Sequence, residues 1–188
     1  LERGPLPIDD ACAVYRELLL GLAAVHAAGV VHQDVKSDNI ILMARDQRRR
    51  AVLTDFALAS AWHGTPRHAK DARLVGTPAY MTPERLLGAS GVDAAADVFA
   101  LGVVFFEMLT AQLPWPQPHQ HAPWHWVEDT VQTPSHLRRA VPPALDRFLV
   151  ACLSRDPSAR PRSAFDALAA FESVHPAPAA QSSCAACA

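Results

Sequence analysis

Residues 32–39 read His32-Gln33-Asp34-Val35-Lys36-Ser37-Asp38-Asn39, which places a carboxylate, a cation and an amide on one short loop ahead of a β-like run, Asn39 to Met43. A second β-like run, Ala51 to Thr54, follows the polar stretch Arg45 to Arg50, and the two runs predict a hairpin. Asp55 comes next, sixteen residues beyond Asn39. Hairpin strands bring their ends together, so Asp34, Asn39 and Asp55 are expected to converge on one pocket. The oxygens of Asn39 and Asp55 suit Mg2+, which takes few protein ligands and shares the rest with phosphate oxygens and water. Asp34 is then free to accept a proton from an attacking hydroxyl. Lys36 can neutralise charge on a transferring phosphoryl group. These parts fit phosphoryl transfer, where positioning and electrostatics carry most of the rate.

Upstream of the loop, Ala11, Val14, Leu18, Leu22 and Val25 recur at three- and four-residue steps and predict a helix with Asp9 or Asp10 at its cap. Gly29 suits the left-handed residue that ends it, and Val30-Val31 reads as a short β-run. The Arg48-Arg49-Arg50 triplet is expected at a solvated loop tip. From Asp55 to Glu84 the chain reads as one long irregular stretch, and such a stretch inside a compact domain points to function. Helical patterns follow at Ala94 to Leu109, Pro143 to Leu153 and Ser163 to Phe171, the third with a capping box, Ser163 and Asp166. A Pro/His/Trp-rich connection, Pro114 to Pro134, separates the first two, and the tail after Val174 reads as disordered over 175–188. The expected fold is mainly α with a small β-hairpin.

Composition bounds the function. Half of the 188 residues are hydrophobic and the net charge is −2, which excludes a disordered chain and suits one domain. With 17 basic against 19 acidic residues, a nucleic-acid partner lacks its electrostatic support. The longest apolar run, Val98 to Phe106, is flanked by Asp97 and Glu107. It is far short of the ~20 residues a membrane span needs. Cys12 and Cys152 fall on apolar helical faces as core fillers, while Cys184 and Cys187 have no second pair to complete a zinc site. A reducing cytoplasm is the expected compartment. His119, His121 and His125 lack matching ligands at metal spacing, and Trp115, Trp124 and Trp126 read as core anchors. The opening Leu1-Glu2-Arg3-Gly4-Pro5 reads as cut from something longer.

Taken in order, these motifs resemble the C-terminal lobe of a eukaryotic-type serine/threonine protein kinase, the bacterial Hanks type, over about residues 1 to 173. His32 to Asn39 is similar to the family's catalytic loop and Asp55-Phe56-Ala57 to its magnesium-binding triplet. Gly76-Thr77-Pro78-Ala79-Tyr80-Met81-Thr82-Pro83-Glu84 resembles the end of the activation segment. The resemblance implies Asp34 as base, Lys36 as phosphate contact, Asn39 and Asp55 as metal ligands, ATP and Mg2+ as cofactors, and a protein substrate. It also implies that Thr77 contacts Asp34 and Lys36, that Glu84 pairs with Arg160, and that Asp97 braces the catalytic loop. Residues 1–174 would then be the C-terminal lobe of a kinase domain.

The departures matter as much. Gln33 stands where the family has an arginine that grips a phosphorylated activation loop, so activity is expected not to depend on loop phosphorylation. Ala57 replaces a glycine, which costs little unless the backbone there needs a positive φ. Nothing resembles the glycine-rich loop, the strand lysine or the helix glutamate that complete an ATP site in the family. An N-terminal lobe is therefore expected to pack on this one, and the isolated chain to bind ATP poorly. The resemblance also implies that sensor or membrane-tethering parts can lie outside the segment. Two other readings stay open: a pseudokinase or docking module on the same lobe, and a small-molecule kinase.

Overall fold

The computed structural model describes residues 4–45, 48–61, 78–88, 93–115 and 131–177. Helix α1, Ile8–Ala27, starts after Pro7, whose φ of −50° suits a helix entry, and no side chain caps it. Asp9 and Asp10 therefore lie in the first turn, not at the cap, where their charge still favours the exposed N–H groups. The predicted stripe is buried at Ala11, Val14, Leu18 and Leu22 and half-buried at Val25, with Cys12, Tyr15, Leu19 and His26 beside it. Gly29 ends the helix with φ +73°, its N–H bonded to His26 O at 2.9 Å.

Strand β1, Val30–Val31, follows, then a short 3-10 turn at Ser37–Asn39 and the hairpin β2, Ile40–Arg45, with β3, Arg48–Leu53. The hairpin register runs from Ile40 opposite Leu53 to Arg45 opposite Arg48. The arginine triplet is thus part of β3 and not a loop tip, because pairing continues to Arg48. Glu17 of α1 covers the outer edge of β3: its Oε2 accepts the Ala51 N–H at 2.8 Å, and its Oε1 lies 3.4 Å from Arg50 Nε. Strand β4, Ser60–Ala61, pairs antiparallel with β1. It falls in the stretch expected to be irregular, since two residues are too few to show a period.

Three further helices carry the core, and two single turns join them. α2, Pro83–Leu86, and α4, Pro134–Leu137, each open with proline at the first helical position. α3, Ala94–Thr110, is capped by Asp93 and buries every residue except Ala96 and Glu107. A helix apolar on all sides belongs at the centre of a domain. The remaining helices are α5, Pro143–Cys152, and α6, Ala164–Val174. A side chain at Gly102 would put Cβ 3.1 Å from Cys152 Cβ, so glycine allows α3 and α5 their close approach. At α6 the Ser163 hydroxyl accepts the Asp166 N–H, one half of the predicted capping box, while the Asp166 carboxylate takes the Ser163 hydroxyl in place of its backbone N–H.

An aromatic cluster joins four helices: Tyr15 of α1 stacks on Phe105 of α3 at 4.1 Å, with Phe148 of α5 and Phe171 of α6 edge-on to it. Cys12 and Cys152 are buried free thiols, which burial pushes up to about 12. Both are inert packing, as expected. Trp115 is a core anchor, stacked on Phe99 at 5.7 Å. Among the described residues no helix is long and apolar enough to cross a membrane. The readings at Gly76, Thr77, His119, His121, His125, Trp124, Trp126, Cys184, Cys187 and the tail from 178 lie outside the described residues.

Candidate active site

The site is built on the open end of the β2–β3 hairpin. Where the register ends, the Thr54 N–H and hydroxyl both donate to Asn39 O, at 2.8 and 3.0 Å. Asn39 and Asp55 are thereby held at the ends of neighbouring strands. The Asn39 amide nitrogen donates to Asp34 O at 2.8 Å and Asp34 Oδ2 at 3.1 Å. Two acceptors on one side fix the amide orientation. Asn39 Oδ1 accepts no hydrogen bond from the described residues.

Lys36 Nζ donates to the same Asp34 Oδ2 at 2.8 Å. This hydrogen bond is the main reason the Lys36 ammonium is held above its ordinary value, and the charges of Asp38 and Asp55 add to it. Asp34, Lys36 and Asn39 are thus joined directly. Asp55 is reached by Lys36 through charge, with no hydrogen bond to the other three among the described residues. Asp55 is exposed and adopts φ +62°, a region that aspartate tolerates better than most side chains. One oxygen, Oδ1, accepts the Ala57 N–H at 3.3 Å. Ala57 is not among the residues with positive φ, so its methyl group introduces no strain.

Asp97, buried at 1% exposure near the start of α3, organises the loop. Its Oδ2 accepts the His32 N–H at 2.7 Å and the His26 ring at 3.0 Å, and its Oδ1 accepts the Gln33 N–H at 2.8 Å. Because His26 Nδ1 accepts the Ala164 N–H at 3.1 Å, the ring proton sits on Nε2, facing Asp97. His32 is fully buried and also bridges: Nε2 donates to Thr54 O at 3.1 Å, while Nδ1 accepts the Asp34 N–H at 3.3 Å. Phe56 lies against the His32 ring, 4.5 Å between centroids. The residue before each carboxylate is therefore tied to the other strand or to α3.

Glu84 and Arg160 meet as the family resemblance implies, in a two-pronged pair at 2.8 and 2.9 Å. The Arg160 side chain is fully buried, also donates to Ser154 O and lies over the Phe99 ring. Burial alone would push the Glu84 carboxyl up, but the hydrogen bonds headed by Arg160 outweigh it and hold the group below its ordinary value.

Sequence reasoning missed one cluster. Ser37 and Tyr80 both donate to Glu107 Oε2, at 2.6 and 2.7 Å, which ties the loop 32–39 and the turn Pro78–Tyr80 to α3. Burial pushes the Glu107 carboxyl up despite these donors, and pushes the Tyr80 hydroxyl up as well. The only signal was an acid ending the apolar run of a core helix, which spacing alone does not connect to Ser37. Among the described residues no three His, Cys, Asp or Glu gather as a metal cage. Asn39 Oδ1 and the Asp55 carboxylate instead fit a hard cation that takes one or two protein oxygens.

With a carboxylate, lysine and amide locked on one loop beside an exposed aspartate, the comparison with known proteins is direct. The protein kinase domain family model matches residues 1–170, and the chain belongs to that family. It is 37% identical over 162 residues to the serine/threonine-protein kinase PkaB of Streptomyces coelicolor, covering 82% of this chain and 37% of that protein. It is 38% identical over 175 residues to the serine/threonine-protein kinase PknD of Mycobacterium tuberculosis, covering 91% of this chain and 26% of that protein. The match to the serine/threonine-protein kinase pkn2 of Myxococcus xanthus is 31% over 189 residues, covering 22% of it. The chain thus spans well under half the length of these relatives.

Proposed function

We propose that residues 1–174 form the C-terminal lobe of a serine/threonine protein kinase that transfers the γ-phosphoryl group of Mg-ATP to protein hydroxyls. The observation that carries this reading is the lock on Asp34: Lys36 and Asn39 both donate to Oδ2, and no described residue donates to Oδ1. Asp34 Oδ1 accepts the proton of the substrate hydroxyl as the new O–P bond forms and the bond to the departing diphosphate breaks. Lys36, fixed beside that oxygen, offsets negative charge on the group in transfer. Asn39 and Asp55 would hold the Mg2+, which neutralises phosphate oxygens when bound. The chain contains no Gly-x-Gly and only two lysines, Lys36 and Lys70. The upper wall of the nucleotide site is therefore assigned to an N-terminal lobe, and this chain alone should bind ATP weakly. ATP chemistry and free buried thiols favour a cytoplasmic location for the domain.

The docking-module alternative rests on Gln33, on Ala57 and on the lack of a matching N-terminal lobe, and the structure bears on the first two. It weakens because Ala57 is unstrained and Gln33 keeps its hydrogen bonds. The deciding experiment is Asp34→Asn in the intact protein, assayed with Mg-ATP and a generic protein substrate. The expected result is a fall of about 10²–10⁴ in transfer rate, with nucleotide affinity unchanged by titration. A variant retaining more than about a tenth of the rate would remove Asp34 as base.

A further inference from the structure

Helix α3 carries two acids, Asp97 and Glu107, ten positions apart, and both end on the loop 32–39. Asp97 grips the loop ahead of Asp34 through the His32 and Gln33 N–H groups, which any residue there would supply. Glu107 grips it behind Asp34, and there the donor is a side chain: Ser37 Oγ reaches Glu107 Oε2 at 2.6 Å. That length belongs to the strong hydrogen bonds between a hydroxyl and an ionised carboxylate. The same oxygen accepts the Tyr80 hydroxyl at 2.7 Å, and the two hydroxyl oxygens lie 3.3 Å apart. Ser37 opens the 3-10 turn Ser37–Asn39, and no side chain caps that turn at Lys36. Two backbone bonds close it, from the Asn39 N–H to Lys36 O and from the Ile40 N–H to Ser37 O. Such short turns have poor hydrogen-bond geometry and hold weakly by themselves. The Asn39 end is also fixed by the Thr54 N–H and hydroxyl on its carbonyl. The Lys36 end adjoins Ser37 directly.

We infer that Ser37 is a positioning residue for phosphoryl transfer: its hydroxyl on Glu107 fixes the Lys36 end of the turn and so keeps the Lys36 ammonium on Asp34 Oδ2. The Asp97 grip acts ahead of Asp34 and does not reach this turn. A bond to the central helix supplies the restraint that the turn lacks, and it depends on a hydroxyl at position 37. Misplacing a positioned group by about 1 Å slows a reaction more than it weakens binding. The inference deepens the kinase reading and rests on it for its catalytic meaning, while the hold on the turn can be tested without catalysis.

Three variants of the intact protein test this. Ser37→Ala removes the hydroxyl, Ser37→Thr keeps it, and Tyr80→Phe takes the other donor from the same Glu107 oxygen. Amide hydrogen exchange at Asn39 and Ile40 is expected to be about ten-fold faster in Ser37→Ala, the loss of one hydrogen bond to a charged group, and within about two-fold of wild type in the other two. If Ser37 only satisfied the Glu107 carboxylate, Tyr80→Phe would match Ser37→Ala, and that result overturns the inference. With Mg-ATP and a generic protein substrate, the single-turnover transfer rate should fall about ten-fold in Ser37→Ala, with Mg-ATP affinity within about two-fold, and Ser37→Thr should restore the rate. A rate unchanged in Ser37→Ala overturns the inference too. If the wild-type protein transfers no phosphate, the kinase reading fails, and the exchange order still decides whether Ser37 holds the turn.

Discussion

Asp97→Asn removes one oxygen from the point where α1, α3 and the loop 32–39 meet. Asp97 takes two donors on Oδ2, from His26 and His32, and one on Oδ1, from Gln33. Asparagine has a single acceptor oxygen, and its best orientation keeps the two-donor side. Its NH2 group then faces the Gln33 N–H, donor against donor, at a site 1% exposed. Losing a hydrogen bond to a charged group costs about 1.5–3 kcal/mol. The two remaining bonds fall from charge-assisted to neutral strength, roughly half. Together these give a destabilisation of about 3–5 kcal/mol, a large share of the ~5–15 kcal/mol of a typical domain. In urea unfolding of the chain, followed by tryptophan fluorescence, a slope of about 2 kcal/mol/M turns this into a midpoint lower by about 1.5–2.5 M. Asp38→Asn serves as the control: that carboxylate is exposed, and its removal should cost within about 0.5 kcal/mol. A midpoint drop under about 0.5 M for Asp97→Asn, with the slope unchanged, would refute the brace.

Two pH-linked predictions concern the other carboxylates. Glu84 is held below its ordinary value of 4.5, so its stabilisation is present above that value and is lost as pH falls through its lower folded value. Glu84→Gln should cost about 2–4 kcal/mol at neutral pH by stranding buried Arg160, with the cost vanishing in acid, as urea midpoints across pH would show. Arg160→Met should cost less, since methionine fills the bed over Phe99 and the partly exposed Glu84 is solvated. Glu107 runs the other way: its raised value means its stabilisation is present below 4.5 and lost as pH rises through the folded value. Glu107→Gln keeps an oxygen for both Ser37 and Tyr80, so its midpoint relative to wild type should climb between pH 4 and 7; a flat difference would contradict this.

The loop ahead of the hairpin, the hairpin itself and the long helices were legible because local chemistry dictates them. Apolar residues at three- and four-residue steps mark α1, Gly29 its end, Ser163 the start of α6, and a polar stretch between two β-like runs the turn of a hairpin. The errors came where local signals are weak or ambiguous. Asp9 and Asp10 have the chemistry of a cap and of a first turn alike, and Pro7 settled which. Arg48 to Arg50 read as a tip because charge suggests solvent, yet backbone pairing to Arg45 carries β3 through them.

Residue types and their order sufficed to name the family and to single out Asp34, Lys36, Asn39 and Asp55 as its candidate base, cation and oxygen ligands, since such chemistry resides in the side chains themselves. Only the folded arrangement decided that Asp34 Oδ2 is shared by Lys36 and Asn39, that Gln33 spans from α2 and α3 to Leu58, and that Glu107 gathers Ser37 and Tyr80. These contacts join residues tens of positions apart. Their existence depends on how helices pack around α3, a collective result of burial that no local stretch of sequence encodes.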